Sequence, residues 1–175
     1  VRLAAFVFAI LTAIGPVQAG SVSLLNGKLK LDTTDAFVQE KKPRASRQSI
    51  ADFKGRKSDA WGTITRGTHG LQPEGLTKYI EKKVAEYTEG LSWLPRLDWL
   101  KKKIVTINRR EWADLRFIAP RKDAKDARDG LMYTRILATS YGGELLEIMF
   151  TGNTDPSPVL KDNIDKVMES VTLEE

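Results

Sequence analysis

The sequence contains no cysteine, which removes disulfides, zinc–thiolate sites and thiol nucleophiles from consideration. Histidine is nearly as scarce: His69 stands alone, so a metal site built on paired histidines is excluded. Long apolar runs are missing too. The longest, Leu3–Ile14, has twelve residues interrupted only by Thr12, against the roughly twenty that a spanning helix needs. There is no internal repeat and no low-complexity tract. Neither sign of charge dominates strongly, since 28 basic and 23 acidic residues leave +5. Such a balance favours contact with anionic surfaces without requiring it.

What is present suits one ordinary domain with a real core, at 175 residues, 41% hydrophobic and 29% charged. The N-terminus reads as an address. Arg2 precedes the apolar run, Gly15-Pro16 breaks it, and Val17-Gln18-Ala19 offers small residues for cleavage, the order of a secretory signal peptide. The expectation is a signal peptide over 1–19 and a single domain over 20–175, soluble in the periplasm or outside the cell. Loss of Arg2 with the leader leaves 27 bases against 23 acids. Without a cysteine at the cleavage point, a bacterial lipoprotein anchor is not expected.

Gly130–Gly152, GLMYTRILATSYGGELLEIMFTG, is the stretch around which the rest is arranged. Gly142-Gly143 predicts a two-residue hairpin turn. That turn sets Leu137 opposite Ile148, Thr139 opposite Leu146 and Arg135 opposite Phe150. On the other side it pairs Ile136 with Met149, Ala138 with Glu147 and Ser140 with Leu145. Apolar groups fall on both sides, so the pattern predicts a central sheet covered above and below.

Asn26-Gly27 in VSLLNGKLKL predicts a second tight hairpin, with Leu24 facing Leu29 and Val22 facing Leu31. Its other side carries Ser23, Lys28 and Lys30 together with Leu25. Residues 38–48 read as an exposed basic connection, and Ser49–Phe53 and Ala60–Arg66 as short strands. Thr68–Gly75 is turn-rich, with Pro73 placed for a helix start. Leu76, Ile80, Val84 and Tyr87 then form one apolar stripe over Glu74–Glu89, with Gly90 as the terminating residue. Ile104–Ile107 and Glu111–Ala119 form a strand pair turning near Asn108–Arg110. Arg121–Gly130 reads as a charged loop and Thr151–Ser157 as a turn. Ser157 and Pro158 open a last helix whose buried stripe is Leu160, Ile164, Val167 or Met168, and Val171.

This order resembles the PsbP-like superfamily, which includes the photosystem PsbP proteins, Ran-binding Mog proteins and DcrB-like envelope proteins. The residues that carry the likeness are LLNGKLKL, GLTKYIEKKVAEY, INRREWADLRF, YTRILATSYGGELLEIMF and NIDKVMESV, together spanning Val22 to Leu173. The resemblance implies an α+β fold, an α/β/α sandwich with a central antiparallel sheet flanked by helices. It further implies that the protein works by binding other proteins, with no shared catalytic apparatus. DcrB-like proteins are usually anchored through a lipidated cysteine, a feature that does not carry over. Toxin immunity proteins and chaperones of toxin secretion are among small envelope proteins of this kind.

Candidate sites compete with plainer readings. His69 would need a nucleophile and an orienting acid beside it, and nothing in the sequence supplies them; an exposed loop histidine is the default. Asp123, Asp126 and Asp129 recur every three residues, which lines them on one side of a helical turn rather than alternating as a calcium loop requires. Asn153 and Asp155 read as turn and cap residues. Basic groups gather at Lys41, Lys42, Arg44 and Arg47, at Lys54, Arg56 and Lys57, and at Lys101–Lys103 with Arg109 and Arg110. Export argues against nucleic acid as their partner, and membrane contact is expected to be peripheral at most. Trp93, Leu94, Trp99 and Leu100 surround Pro95, flanked by Arg96 and Lys101. Tryptophan and arginine dominate interface energetics, so Trp93, Arg96, Trp99, Lys101, Lys102 and Lys103 form the candidate binding surface. The competing reading is that the tryptophans cap the core beneath the preceding helix.

The function expected is that of a non-catalytic, exported protein that binds another envelope or secreted protein, without cofactor or metal. A small-ligand or lipid carrier, and an envelope hydrolase using His69, are the alternatives.

Overall fold

The computed structural model describes residues 20–41, 48–67, 75–91, 97–120, 130–153 and 158–175. Residues 1–19, read above as a signal peptide, the basic stretch 42–47, His69 and Pro73, the Trp93–Arg96 segment, the aspartates of 121–129, and Asp155 with the expected Ser157 cap lie outside them.

Among the described residues, ten strands and two helices follow in order: β1 (Ser21–Leu24), β2 (Leu29–Asp32), β3 (Phe37–Gln39), β4 (Ser49–Gly55), β5 (Ala60–Gly67), α1 (Gly75–Gly90), β6 (Asp98–Ile107), β7 (Arg110–Pro120), β8 (Leu131–Tyr141), β9 (Glu144–Asn153), α2 (Pro158–Glu169) and β10 (Thr172–Leu173). Seven strands form one antiparallel sheet, β3-β4-β5-β9-β8-β7-β6, and three form a second, β1-β2-β10. The result is a sheet-dominated α+β fold.

The β8–β9 hairpin at the middle of the large sheet has the expected register, with Leu137 against Ile148, Ile136 against Met149 and Arg135 against Phe150. Gly142 and Gly143 take φ of 58° and 78°, the left-handed pair that a two-residue turn demands. Period-two alternation then sends Leu137, Ile148 and Phe150 to one side and Ile136, Ala138 and Met149 to the other, into two separate apolar clusters. One cluster is closed by α1, through Leu76, Tyr79, Ile80, Val84 and Tyr87. The other is closed by α2, through Leu160, Ile164, Val167 and Met168, and by Leu29 and Leu31 of the small sheet.

Several elements depart from the sequence reading. The first hairpin keeps its register, Leu24 to Leu29 and Val22 to Leu31, but its loop is wider than two residues. Leu25, Asn26 and Gly27 all take positive φ, and Leu25 packs onto the core instead of joining the lysines. Residues 37–39 pair as β3 because Phe37 enters the core at 1% exposure. β6 begins six residues before Ile104, and β9 runs through Asn153. Gly90 belongs to α1 rather than standing beyond it. β10, a two-residue strand, pairs with β2 and makes that strand the centre of the small sheet.

On the α2 side the sheet carries a buried ionic knot. Arg135, 1% exposed, donates from Nη1 to Asp165 Oδ1 at 2.9 Å and from Nη2 to Asp114 Oδ2 at 3.2 Å. Asp114, fully buried, also accepts from Arg116 at 2.8 Å and lies 3.1 Å from the Lys101 ammonium. Tyr133 donates to Asp165 at 2.7 Å. These bonds join α2 to β7 and β8 by directional contacts that apolar packing alone would not provide.

Candidate functional site

α1 packs chiefly on β6 and β7 and, among the described residues, is the one helix on its side of the sheet. Beside the C-terminal half of α1 lies an apolar groove of about 340 Å³. Its floor crosses four strands: Trp61 from β5, Met149 and Thr151 from β9, Met132 and Thr134 from β8, Phe117 and Ala119 from β7. Tyr87 and Leu91 make the helical wall. Trp61, Thr63 and Thr65 reach this face because they alternate with Gly62 and Ile64, which face the opposite core. A second hollow of about 250 Å³ shares Trp61 and Met149 and continues across β5 to Ser49 and Asp52 of β4.

The groove's lining is mostly apolar. Tyr87 is the one ionisable lining residue among those described, and burial, with Glu147 and Glu86 nearby, pushes that phenol above its ordinary value. Tyr87 also leans on Phe117 at 5.0 Å and places its hydroxyl 3.6 Å from Met149 Sδ, which holds the wall to the floor. The hydroxyls of Thr134 and Thr151 are bonded to each other at 2.8 Å. Met132, Met149 and Trp61 remain half-buried at the surface. Flexible thioethers beside an aromatic ring adapt readily to an apolar partner.

A larger cleft, about 560 Å³, opens at the other end of α1 between Gly75, Leu76 and Tyr79, the Asn108-Arg109 turn and the β8–β9 turn. Its charges are of both signs and partly spent on each other. Arg110 donates to the Ser140 carbonyl and the Thr139 hydroxyl, and lies 3.9 Å from Glu175. Among the described residues no group of three or more His, Asp or Glu is arranged to hold a metal ion, and no helix is long and apolar enough to cross a membrane.

The candidate surface read from the sequence is divided by the structure. Trp93 and Arg96 lie outside the described residues. A bulge between Trp99 and Lys101 then sets the facing of the three lysines. Trp99 turns towards α1, 6.4 Å from the Tyr87 ring and 5.1 Å from Phe117, and packs on the core. Lys102 points to that same side, 5.9 Å above its ring. Lys101 goes to the opposite side, bound to Asp114, and Lys103 is exposed there. Trp61 and Met132 escaped notice in the sequence, and Met149 was read only as the hairpin partner of Ile136. The alternation Trp61-Gly62-Thr63-Ile64-Thr65 was the signal for Trp61, a large ring on the polar side of its strand; the methionines had none.

No protein-family model and no curated protein matches this sequence. Solved structures do. Cyanobacterial PsbP (CyanoP) from Synechocystis sp. PCC 6803 is 13% identical with a TM-score of 0.61, over 94% of this chain and 99% of that one. LpqN, involved in cell envelope biogenesis of Mycobacterium tuberculosis, is 12% identical with a TM-score of 0.53, over 89% and 90%. Protein PA94 of Pseudomonas aeruginosa, of unknown function, gives 12% and 0.52, over 79% and 82%. Strand order, two-sided core and these likenesses agree: the fold of this chain is PsbP-like.

Proposed function

We propose that this chain is an exported, non-catalytic envelope protein of α/β/α build that works by binding another protein, in the manner of a secretion accessory or a toxin-immunity factor. The groove beside α1 carries the reading: Trp61, Met132 and Met149 form an apolar, partly exposed floor that crosses several strands. LpqN's involvement in envelope biogenesis is compatible with it. The Arg2–Ala19 leader supports export, and the exported protein should begin at Gly20 by mass spectrometry.

A photo-crosslinking residue at position 61 or 132 should yield a discrete protein adduct in intact cells, whereas one at the exposed Lys30, on the small sheet, should not. With the adduct identified, Trp61→Ala should weaken capture of that protein by about tenfold or more while leaving the melting temperature within a few degrees. Equal cross-linking from positions 61 and 30 sinks the reading. A second reading, a small-ligand or lipid carrier, is favoured by the groove's volume, which falls in the range of ligand sites. It would show as a lipid-sized mass on the protein under native mass spectrometry.

A further inference from the structure

The two edges of the large sheet differ sharply. β3, at one edge, is three residues long; β6, at the other, has ten and among the described residues pairs only with β7. A long free edge is a template for another strand, and proteins ordinarily shorten or cover it. The exposed large hydrophobic residues of the described surface, Leu100 at 51% and Ile104 at 39%, are both on β6.

The register shows which backbone groups are offered. Ile107 pairs with Arg110 across the two-residue turn Asn108-Arg109, whose φ values are 47° and 68°. The residues flanking such a turn exchange hydrogen bonds, and bonding alternates along the ladder. Val105 and Lys103 therefore direct their backbone groups to β7, while Thr106, Ile104 and Lys102 direct theirs outward. All three of the latter are exposed. The bulge at Leu100 closes this ledge at its N-terminal end.

Charge selects the occupant. Consecutive lysines on a strand place cations on both faces, Lys102 on the α1 side and Lys103 on the other, next to Ile104 and Val105. We propose that β6 is the docking edge for an extended, acidic segment of another protein, which adds to the sheet as an eighth strand and sets its carboxylates beside Lys102 and Lys103 and its apolar side chains beside Ile104. A second copy of this chain is the poorer occupant, because every antiparallel pairing of two β6 strands gathers six lysines in one ribbon, with a single aspartate from each copy. The proposal stands apart from the groove, whose floor begins at β7.

The test uses the full mature protein, isotope-labelled, with two capped peptides, STVVEETS, whose adjacent acids fall on opposite faces of a strand, and its basic counterpart STVVKKTS. The acidic peptide should shift and protect from exchange the amides of Lys102, Ile104 and Thr106, more weakly as salt rises, and the basic peptide should not. Lys102→Glu with Lys103→Glu should weaken the acidic peptide by about tenfold or more and admit the basic one. Lys101 is left alone because it holds Asp114. Ile104→Pro deletes an outward N–H without touching the β7 ladder, so it should fold and lose the peptide. If that variant does not fold, the charge-reversed one decides. Equal binding of both peptides, no protection at the three amides, or a dimer abolished by Ile104→Pro would each overturn the proposal. Because the readout is at β6, loss of the groove's partner in Trp61→Ala leaves this result unchanged.

Discussion

Replacing Arg135 by methionine is expected to cost about 3–5 kcal/mol of folding stability, the range for stripping one partner from a buried ion pair. The guanidinium is 1% exposed and the Asp114 carboxylate is fully buried, so water cannot take over when the cation goes. Asp114 would keep Arg116 and Lys101, but both approach from the more open side at 18% and 25% side-chain exposure. The double variant Asp114→Asn with Arg135→Met should cost less than the two single changes together, because it removes the buried Asp114 carboxylate along with the cation that compensates it. Urea unfolding of the four proteins measures this, and strictly additive losses would show that the knot is not a unit.

The same knot sets an acid limit. Burial alone would raise the Asp114 pKa; the hydrogen bonds from Arg116 and Lys101 and the charges of Arg135 and Arg116 outweigh it and hold the carboxyl below its ordinary value. A group whose pKa falls on folding adds stability that is complete above its unfolded value, roughly 4, and is lost as pH drops through the folded value. Stability should therefore be flat with respect to this group above about pH 5 and decline below about pH 4. In Arg135→Met the decline should be smaller and end at a higher pH, since one of the cations holding the proton off is gone and the folded value moves towards the unfolded one.

The second large effect lies at Phe150, where a ring fully buried between Phe37 at 4.9 Å and Phe53 at 5.3 Å stands directly over Gly62. Phe150→Ala should cost about 3–5 kcal/mol, from lost transfer energy and the cavity left behind. Gly62→Ala tests the same contact from the other side. A methyl there would come within 2.4 Å of the Phe150 ring, and the ring, held by two others, has nowhere to go. That change should cost about 1–3 kcal/mol by overpacking. Adding Phe150→Leu to Gly62→Ala should recover part of the loss, as thermal denaturation would show; a Gly62→Ala protein as stable as its parent would contradict the packing.

Local patterning accounts for the features legible beforehand. Gly142-Gly143 dictates a turn, the turn dictates the register, and the register distributes Leu137, Ile148, Ile136 and Met149 between two cores. The helical stripes Leu76–Tyr87 and Leu160–Met168 announce themselves by period and lie in the two clusters. β3, β10 and the first half of β6 gave no such notice. Each owes its state to a neighbour: β3 to Phe37 entering the core beside β4, β10 to β2, and the early part of β6 to β7. Leu97-Asp98-Trp99-Leu100 next to three lysines has no strand alternation of its own, because a bulge resets the period in the middle of it.

By itself the sequence determined the chemistry excluded by lacking cysteine and all but one histidine, the hairpin register that makes the sheet two-sided, and the apolar stripes of the two helices. These depend on residues close together in the chain, where turn geometry and periodicity act. Tertiary structure alone decided that Asp114, Arg135 and Asp165 meet. It likewise decided that Trp99 turns inward while Trp61 lines an open groove, and that β6 pairs, among the described residues, with β7 alone. Each of those outcomes turns on which strand lies next to which and how much of the sheet one helix can cover, and neither is written in any local stretch of the chain.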